Sequence, residues 1–207
     1  MIPAVLLTLL SFQSPFVAAP DHYKLEFENE WVQVVRVSYG PHGNSPMHDH
    51  PEQPTVMIYT TDGAPLKFKH KDGMVVNRPT VKANGIRFTR GAAESHIVEY
   101  QGDQPSEYLR VELKTDPLDR PERDVRIAPQ DRTPYENGQL RILRVQCAAE
   151  AACPASMHPE DPAVVVTGRS ANFIPAGAPA IQNPGKTALD QIRIELKSKP
   201  LSAPRSQ

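Results

Sequence analysis

The sequence predicts an all-β chain built as two barrels in tandem, and three observations carry that reading. From Tyr23 onward the apolar runs are short and β-rich: Trp31 to Val37, Val56 to Thr60, Leu66 to Lys69, Ile97 to Tyr100 and Glu107 to Leu113, separated by Gly, Pro, Asn and Asp. Many short strands divided by turn residues mark a sandwich or barrel. Proline stands at 22 of 207 positions, about double the roughly 5% average usage, and cuts almost every apolar run before it reaches helix length. A helical bundle is thereby excluded. The third observation is an internal repeat. Glu28 to Val37 matches Glu136 to Val145 at a shift of 108, and His50 to Val56 matches His158 to Val164 at the same shift. Leu109 to Lys114 then matches Ile192 to Lys197 at a shift of 83, so the second copy has lost 25 residues, after position 63.

Taken in chain order, the first segment is an export signal over residues 1–19. Ile2 to Phe12 form a short apolar core, and Val17, Ala18 and Ala19 offer the small residues a signal peptidase needs, with cleavage after Ala18 or Ala19. The competing reading is a buried first strand. Export implies a periplasmic or secreted protein; the apolar run is too short to span a bilayer, so no stable membrane anchor is expected. Residues 22–115 form the first barrel, 116–131 a Pro- and charge-rich linker, 132–198 the second barrel and 199–207 a disordered tail. With 23 Lys and Arg against 24 Asp and Glu, and no long block of either sign, the charge balance excludes nucleic acid as an expected partner.

The clearest alternation lies in Trp31 to Val37 and its counterpart Leu140 to Val145. Each presents one apolar face with Arg and Gln on the other, the pattern of a half-buried strand. In the second copy, Leu140, Ile142, Val145, Val164, Val166, Ile192, Ile194 and Leu196 are expected to pack against the first. A 67-residue barrel is not expected to stand alone. Cys147 and Cys153 are expected to form a disulfide in an oxidising compartment. The alternative is two free thiols, and a zinc site is poorer because no His flanks the pair at finger spacing.

The chemistry concentrates in the first copy. Residues two apart on a strand point to the same face, so His48 and His50 can both aim into a barrel, and His96 on another strand can complete a three-nitrogen metal site with open positions. Glu52 shares their parity and is a candidate fourth ligand, although Pro51 bends the chain between them. Glu94 and Glu99 flank His96, either as an orienting group or base, or as exposed strand-end carboxylates. His22, His42 and His70 sit in polar, turn-rich surroundings and read as surface residues, and His158 as a rim residue. Metal affinity is expected to fall below roughly pH 6 to 6.5, where free imidazole charges.

These residues resemble the motifs of the cupin family. Gly40, His48, His50 and Gly63 follow its first motif with a slightly longer entry, and Gly85 and His96 fall on the spacing of its second. The duplication is similar to that of bicupins, over about residues 24 to 198. The resemblance implies double-stranded β-helix (jelly-roll) barrels, one divalent ion (Mn, Fe, Zn, Ni or Cu) and a small-molecule substrate or ligand; the sequence leaves the oligomeric state open, a homodimer among the alternatives. Departures matter too. The family's metal-binding Glu would fall at Pro54 or Thr55, and Gly91, Ala93 and Tyr100 replace its Pro, Gly and Asn. In the second copy Pro175-Ala-Gly177 keeps the family turn, but the His column falls on Pro179 or Ala180, so that copy reads as a degenerate relic without ligand chemistry. Three functions follow as alternatives: a metal-dependent enzyme of the dioxygenase, isomerase or decarboxylase type, a noncatalytic module binding a sugar or organic acid, and a metal-free structural protein.

Overall fold

The computed structural model describes residues 13–117 and 123–201. Most of the expected leader (1–12), part of the linker (118–122) and most of the tail (202–207) lie outside the described residues. Ten strands belong to the first half: β1 (Tyr23–Glu28), β2 (Val32–Tyr39), β3 (Asn44–His50), β4 (Thr55–Tyr59), β5 (Leu66–His70), β6 (Val75–Arg78), β7 (Ile86–Thr89), β8 (Glu94–Tyr100), β9 (Ser106–Leu113) and β10 (Val125–Ile127). They form a six-stranded sheet, β1-β2-β9-β4-β7-β10, facing a four-stranded sheet, β3-β8-β5-β6. The all-β expectation holds, and α1 (Pro15–Ala18) is a single turn.

The second half contains β11 (Tyr135–Glu136), β12 (Leu140–Cys147), β13 (Ala151–Ala152), β14 (Ala163–Thr167), β15 (Ser170–Ile174), β16 (Gln182–Asn183) and β17 (Leu189–Leu196). Its sheets are β11-β12-β17-β14-β15 and the short pair β13-β16. The run β1-β2-β9-β4-β7 is thus repeated as β11-β12-β17-β14-β15. In the first half, the β5-β6 hairpin intervenes between β4 and β7. In the second, β14 turns directly into β15 at Gly168 and Arg169. The 25-residue difference read from the repeat therefore corresponds to one hairpin, and the smaller sheet shrinks accordingly.

The large sheets of the two halves pack face to face. Val32, Val34, Val56, Ile58, Leu109 and Val111 share one core with Leu140, Ile142, Val164, Val166, Ile192, Ile194 and Leu196. This joint burial covers the apolar faces of both large sheets. One expected member is corrected. Val145 is absent from this core, because its odd position on β12 turns it to the opposite face from Leu140 and Ile142. The half-buried reading of Trp31 to Val37 is also corrected. Val32, Val34 and Arg36 face the partner sheet, whereas Gln33, Val35 and Val37 face the barrel interior, so both faces are covered.

Arginines at equivalent repeat positions close the two ends of this interface. Arg36 Nη2 donates to the Arg169 carbonyl at 2.7 Å, in the β14–β15 turn, while Arg144 Nη2 donates to the Asn84 carbonyl at 2.6 Å, just before β7. Each half's arginine thus caps a turn of the other. Part of the expected linker is itself structured, since β10 pairs with β7. Residues 199–201 are likewise tied down: Thr115 bridges Pro200, and the Leu201 amide donates to the Lys114 carbonyl at 2.8 Å. Cys147 and Cys153 are joined as a disulfide, linking the end of β12 to the residue after β13.

Candidate metal centre

The first barrel's interior is aromatic: Tyr39, Tyr59, Phe68, Tyr100 and Tyr108 fill the space between its two sheets. At one end of this core stand three histidines. The ladder of β3 and β8 places His48 directly opposite His96, and the period of the strand places His50 on the same face as His48. All three side chains are buried, and one nitrogen from each lies within 4.8 Å of the others. Gly91 locks the loops that carry them. Its φ is +72°, and a Cβ there would stand 2.0 Å from the Gln53 carbonyl oxygen, so only glycine lets the approach to β8 touch the exit from β3. This explains the residue that replaces the family's proline.

Hydrogen bonding sets the imidazoles up as ligands. His48 Nδ1 donates to the Pro46 carbonyl at 2.8 Å, which leaves Nε2 of the neutral ring with its lone pair exposed. That nitrogen lies 3.1 Å from His50 Nε2 and 3.0 Å from the Tyr23 hydroxyl. Two nitrogens bound to one ion at about 2.0–2.1 Å stand roughly 3.0–3.4 Å apart, so the observed spacing fits a shared ion. His50 Nδ1 is buried with no hydrogen-bond partner among the described residues. His96 Nδ1 lies 3.4 Å from Glu94 Oε2, an arrangement that leaves its Nε2 for the cluster.

Burial holds all three imidazoles neutral. It pulls His48 down to about 4, against a weaker upward pull from the Pro46 carbonyl, and lowers His50 and His96 as well. Burial therefore shifts the expected loss of metal affinity to a pH below the range in which free histidine charges. Burial alone would raise the Glu94 carboxyl; contact with His96 and the positive Arg78 and Arg110 nearby outweigh it and keep it ionised.

His70 is a correction to the sequence reading. It sits opposite His96 on β5, half-buried, with Nδ1 3.8 Å from Glu94 Oε2, and forms a second cluster with Glu94 and His96. Turn-like neighbours hid it because its partner strand lies 26 positions away. Glu94 is likewise partly buried and near the cluster rather than an exposed strand end, whereas Glu99 pairs with Lys69 on the outer surface. Glu52 is exposed in the loop after β3 and outside both clusters, so it is not placed as a ligand. His42 and His158 sit in exposed pairs with Asp103 and Glu160, in keeping with a surface and a rim position. His22 is half-buried instead, bonded to the Ser38 and Asn44 carbonyls and stacked on Tyr39.

A cavity of about 330 Å³ opens onto His50. Tyr23, Gln33, Arg110 and Glu112 line it from the strands, while Phe16 and Ser14 border it from the N-terminal turn. Residues 13–19, read from sequence as the end of a leader, thus lie against the barrel: Ala19 is buried, and the Asp49 amide donates to the Gln13 carbonyl at 2.9 Å. Arg110 is buried and its Nε donates to Glu112 at 2.5 Å. Neither residue was picked out as part of the site from sequence. Their signal was present in the repeated Arg-x-Glu of Leu109 to Lys114 and Ile192 to Lys197, whose alternate spacing turns both charged groups inward.

No protein-family model matches the sequence, and no curated protein matches it. Solved structures do. A cupin domain from Bordetella pertussis is 22% identical, covering 44% of this chain and 91% of its own, at a TM-score of 0.39. Oxalate decarboxylase from Lactobacillus farciminis, in a formate complex, is 12% identical over 84% of this chain and 78% of its own, at 0.54. AerE from Microcystis aeruginosa is 13% identical over 84% and 97%, at 0.53. The last two matches, each covering most of both chains, show that the chain shares their all-β jelly-roll fold. Among the described residues no helix is long and apolar enough to cross a membrane.

Proposed function

We propose that this chain is an exported bicupin whose N-terminal barrel holds one divalent metal ion on His48, His50 and His96 and acts on a small oxygen-rich substrate. The carrying observation is the convergence of three buried, neutral imidazoles beside a cavity that the barrel itself lines with Tyr23, Gln33, Arg110 and Glu112, residues that remain once the leader is cleaved. Three neutral ligands leave the ion its full positive charge, which favours chelation of an anionic or carbonyl oxygen and polarises it. Tyr23, kept protonated because burial raises its phenol, stands at the edge of the cluster as a proton donor to such an oxygen. Arg110, shared between Glu112 and the cavity, adds positive charge beside the same space. The likeness to an oxalate decarboxylase makes a small organic acid the natural first substrate class to try.

A second reading, binding without turnover, is favoured by one observation. The charged groups that line the cavity are committed in pairs, Arg110 with Glu112 and Lys114 with Glu28, so among the described residues lining it no carboxylate is left unpaired to act as a base. Elemental analysis of protein purified without an affinity tag decides the first step: about one equivalent of metal is expected, and none would overturn the metal reading. Screening small organic acids for consumption against binding alone then separates enzyme from binding module.

A further inference from the structure

The second half has a cavity of its own, about 80 Å³, lined by Ser156, Asp161, Ala163, Val165, Ile174 and Arg193. The repeat makes its chemistry readable row by row. Arg193 on β17 stands where Arg110 stands on β9, and Glu195 where Glu112 does. Their cross-strand neighbours also correspond: Val35 and Met57 flank Arg110, Leu143 and Val165 flank Arg193.

One exchange changes the electrostatics. In the first half Gln33 lies opposite Glu112, and Glu112 is left to neutralise Arg110. In the second half that glutamine is Arg141, whose Nη1 takes Glu195 Oε2 at 2.5 Å, while the Ser156 hydroxyl donates to the other carboxylate oxygen at 2.6 Å. Arg193 loses its counter-ion. It is 6% exposed, its Nη2 donates to the Pro154 carbonyl at 3.1 Å, and among the described residues no carboxylate lies within 4.0 Å of it. A buried guanidinium carries five donors and a charge that costs several kcal/mol to leave unpaired. The cavity beside it supplies the space for a partner.

We propose that the C-terminal barrel binds a small monocarboxylate, two to four carbons long, with its carboxylate paired to Arg193. Asp161 on the same cavity disfavours a second negative charge and accepts a hydrogen bond from a hydroxyl on the ligand, so a 2-hydroxy acid fits better than a dicarboxylate. Ala163, Val165 and Ile174 receive the short alkyl part. The site uses none of the metal-centre residues and stands or falls independently of the reading given above.

The test is calorimetric titration of metal-free, full-length protein with lactate, acetate and malonate. Saturable one-site binding is expected, tightest for lactate and absent for malonate. Arg193→Gln should weaken lactate at least about tenfold, as loss of one partner of a buried charge pair does, and His48→Ala should leave it unchanged. Should Arg193→Gln fail to fold, Ala163→Leu, which fills the cavity wall, must abolish binding instead. Absence of saturable binding by lactate and acetate to the unmodified chain, or binding indifferent to Arg193→Gln or Ala163→Leu, would overturn the proposal.

Discussion

In the first half, β9 turns Tyr108, Arg110 and Glu112 inward, onto an aromatic interior capped by the β5-β6 hairpin. In the second, β17 turns Gln191, Arg193 and Glu195 inward, onto a cavity closed on its far side by only a two-stranded sheet and a disulfide. The outward rows hardly differ: Leu109, Val111 and Leu113 in one, Ile192, Ile194 and Leu196 in the other, all in one shared core. The comparison teaches that the face which joined the halves kept its apolar character, while the two interiors diverged in chemistry. A hairpin's presence sets how much interior there is. In the first half it brings His70 and Phe68 against His96; in the second, among the described residues, no equivalent strand covers a cluster.

The largest expected contrast lies in metal binding. Alanine at His48, His50 or His96 should abolish it, whereas His158→Ala should leave about one equivalent bound, measured by elemental analysis after dialysis. Loss of metal in the His158 variant would break the assignment of the site to the first barrel. Next comes the shared core. Ile194→Ala should cost about 2–5 kcal/mol in denaturant unfolding, and in a single cooperative transition, because its cavity opens between the halves. Two separated transitions would show that the halves fold independently.

The pH dependence of metal-free stability sharpens the difference further. Burial pulls the His48 imidazole down to about 4 in the folded chain, against about 6.5 for a free histidine, so between those values the unfolded chain binds more protons than the folded one. Stability is complete above about pH 6.5 and falls as pH drops toward 4, by roughly 3 kcal/mol for this residue. His48→Gln should make that slope shallower, leaving the share that His50 and His96 contribute, and His158→Gln should not change it; urea titrations at pH 7 and pH 4.5 measure it. The smallest effect belongs to the disulfide. Replacing both Cys147 and Cys153 by Ala should cost about 2 kcal/mol, as the short loop they close implies, with metal content unchanged.

Much of this was legible in the sequence because repetition and strand parity are local properties. The histidine pair on β3 needed only the two-residue period, and the missing hairpin needed only the change in shift. His70, Tyr23 and Arg110 were not legible in the same way. Each reaches the site through a strand pairing, Tyr23 opposite Val37 on the next strand, and His70 opposite His96 and Arg110 between Val35 and Met57 on strands farther along the chain. Val145 was misplaced for a related reason, since an apolar residue beside Arg144 looks core-facing until the register shows which neighbours share its face.

By itself, then, the sequence determined that the chain is all-β and duplicated, and that the three metal-ligand candidates lie in the first copy, since alternation and spacing are written along a single strand. Only the tertiary structure decided which sheet faces join the halves, that His70 and Glu94 stand beside His96, and that Arg141 takes the carboxylate from Arg193. Those outcomes depend on which strands become neighbours, and the free energy that chooses neighbours is collected over whole faces rather than at any one residue.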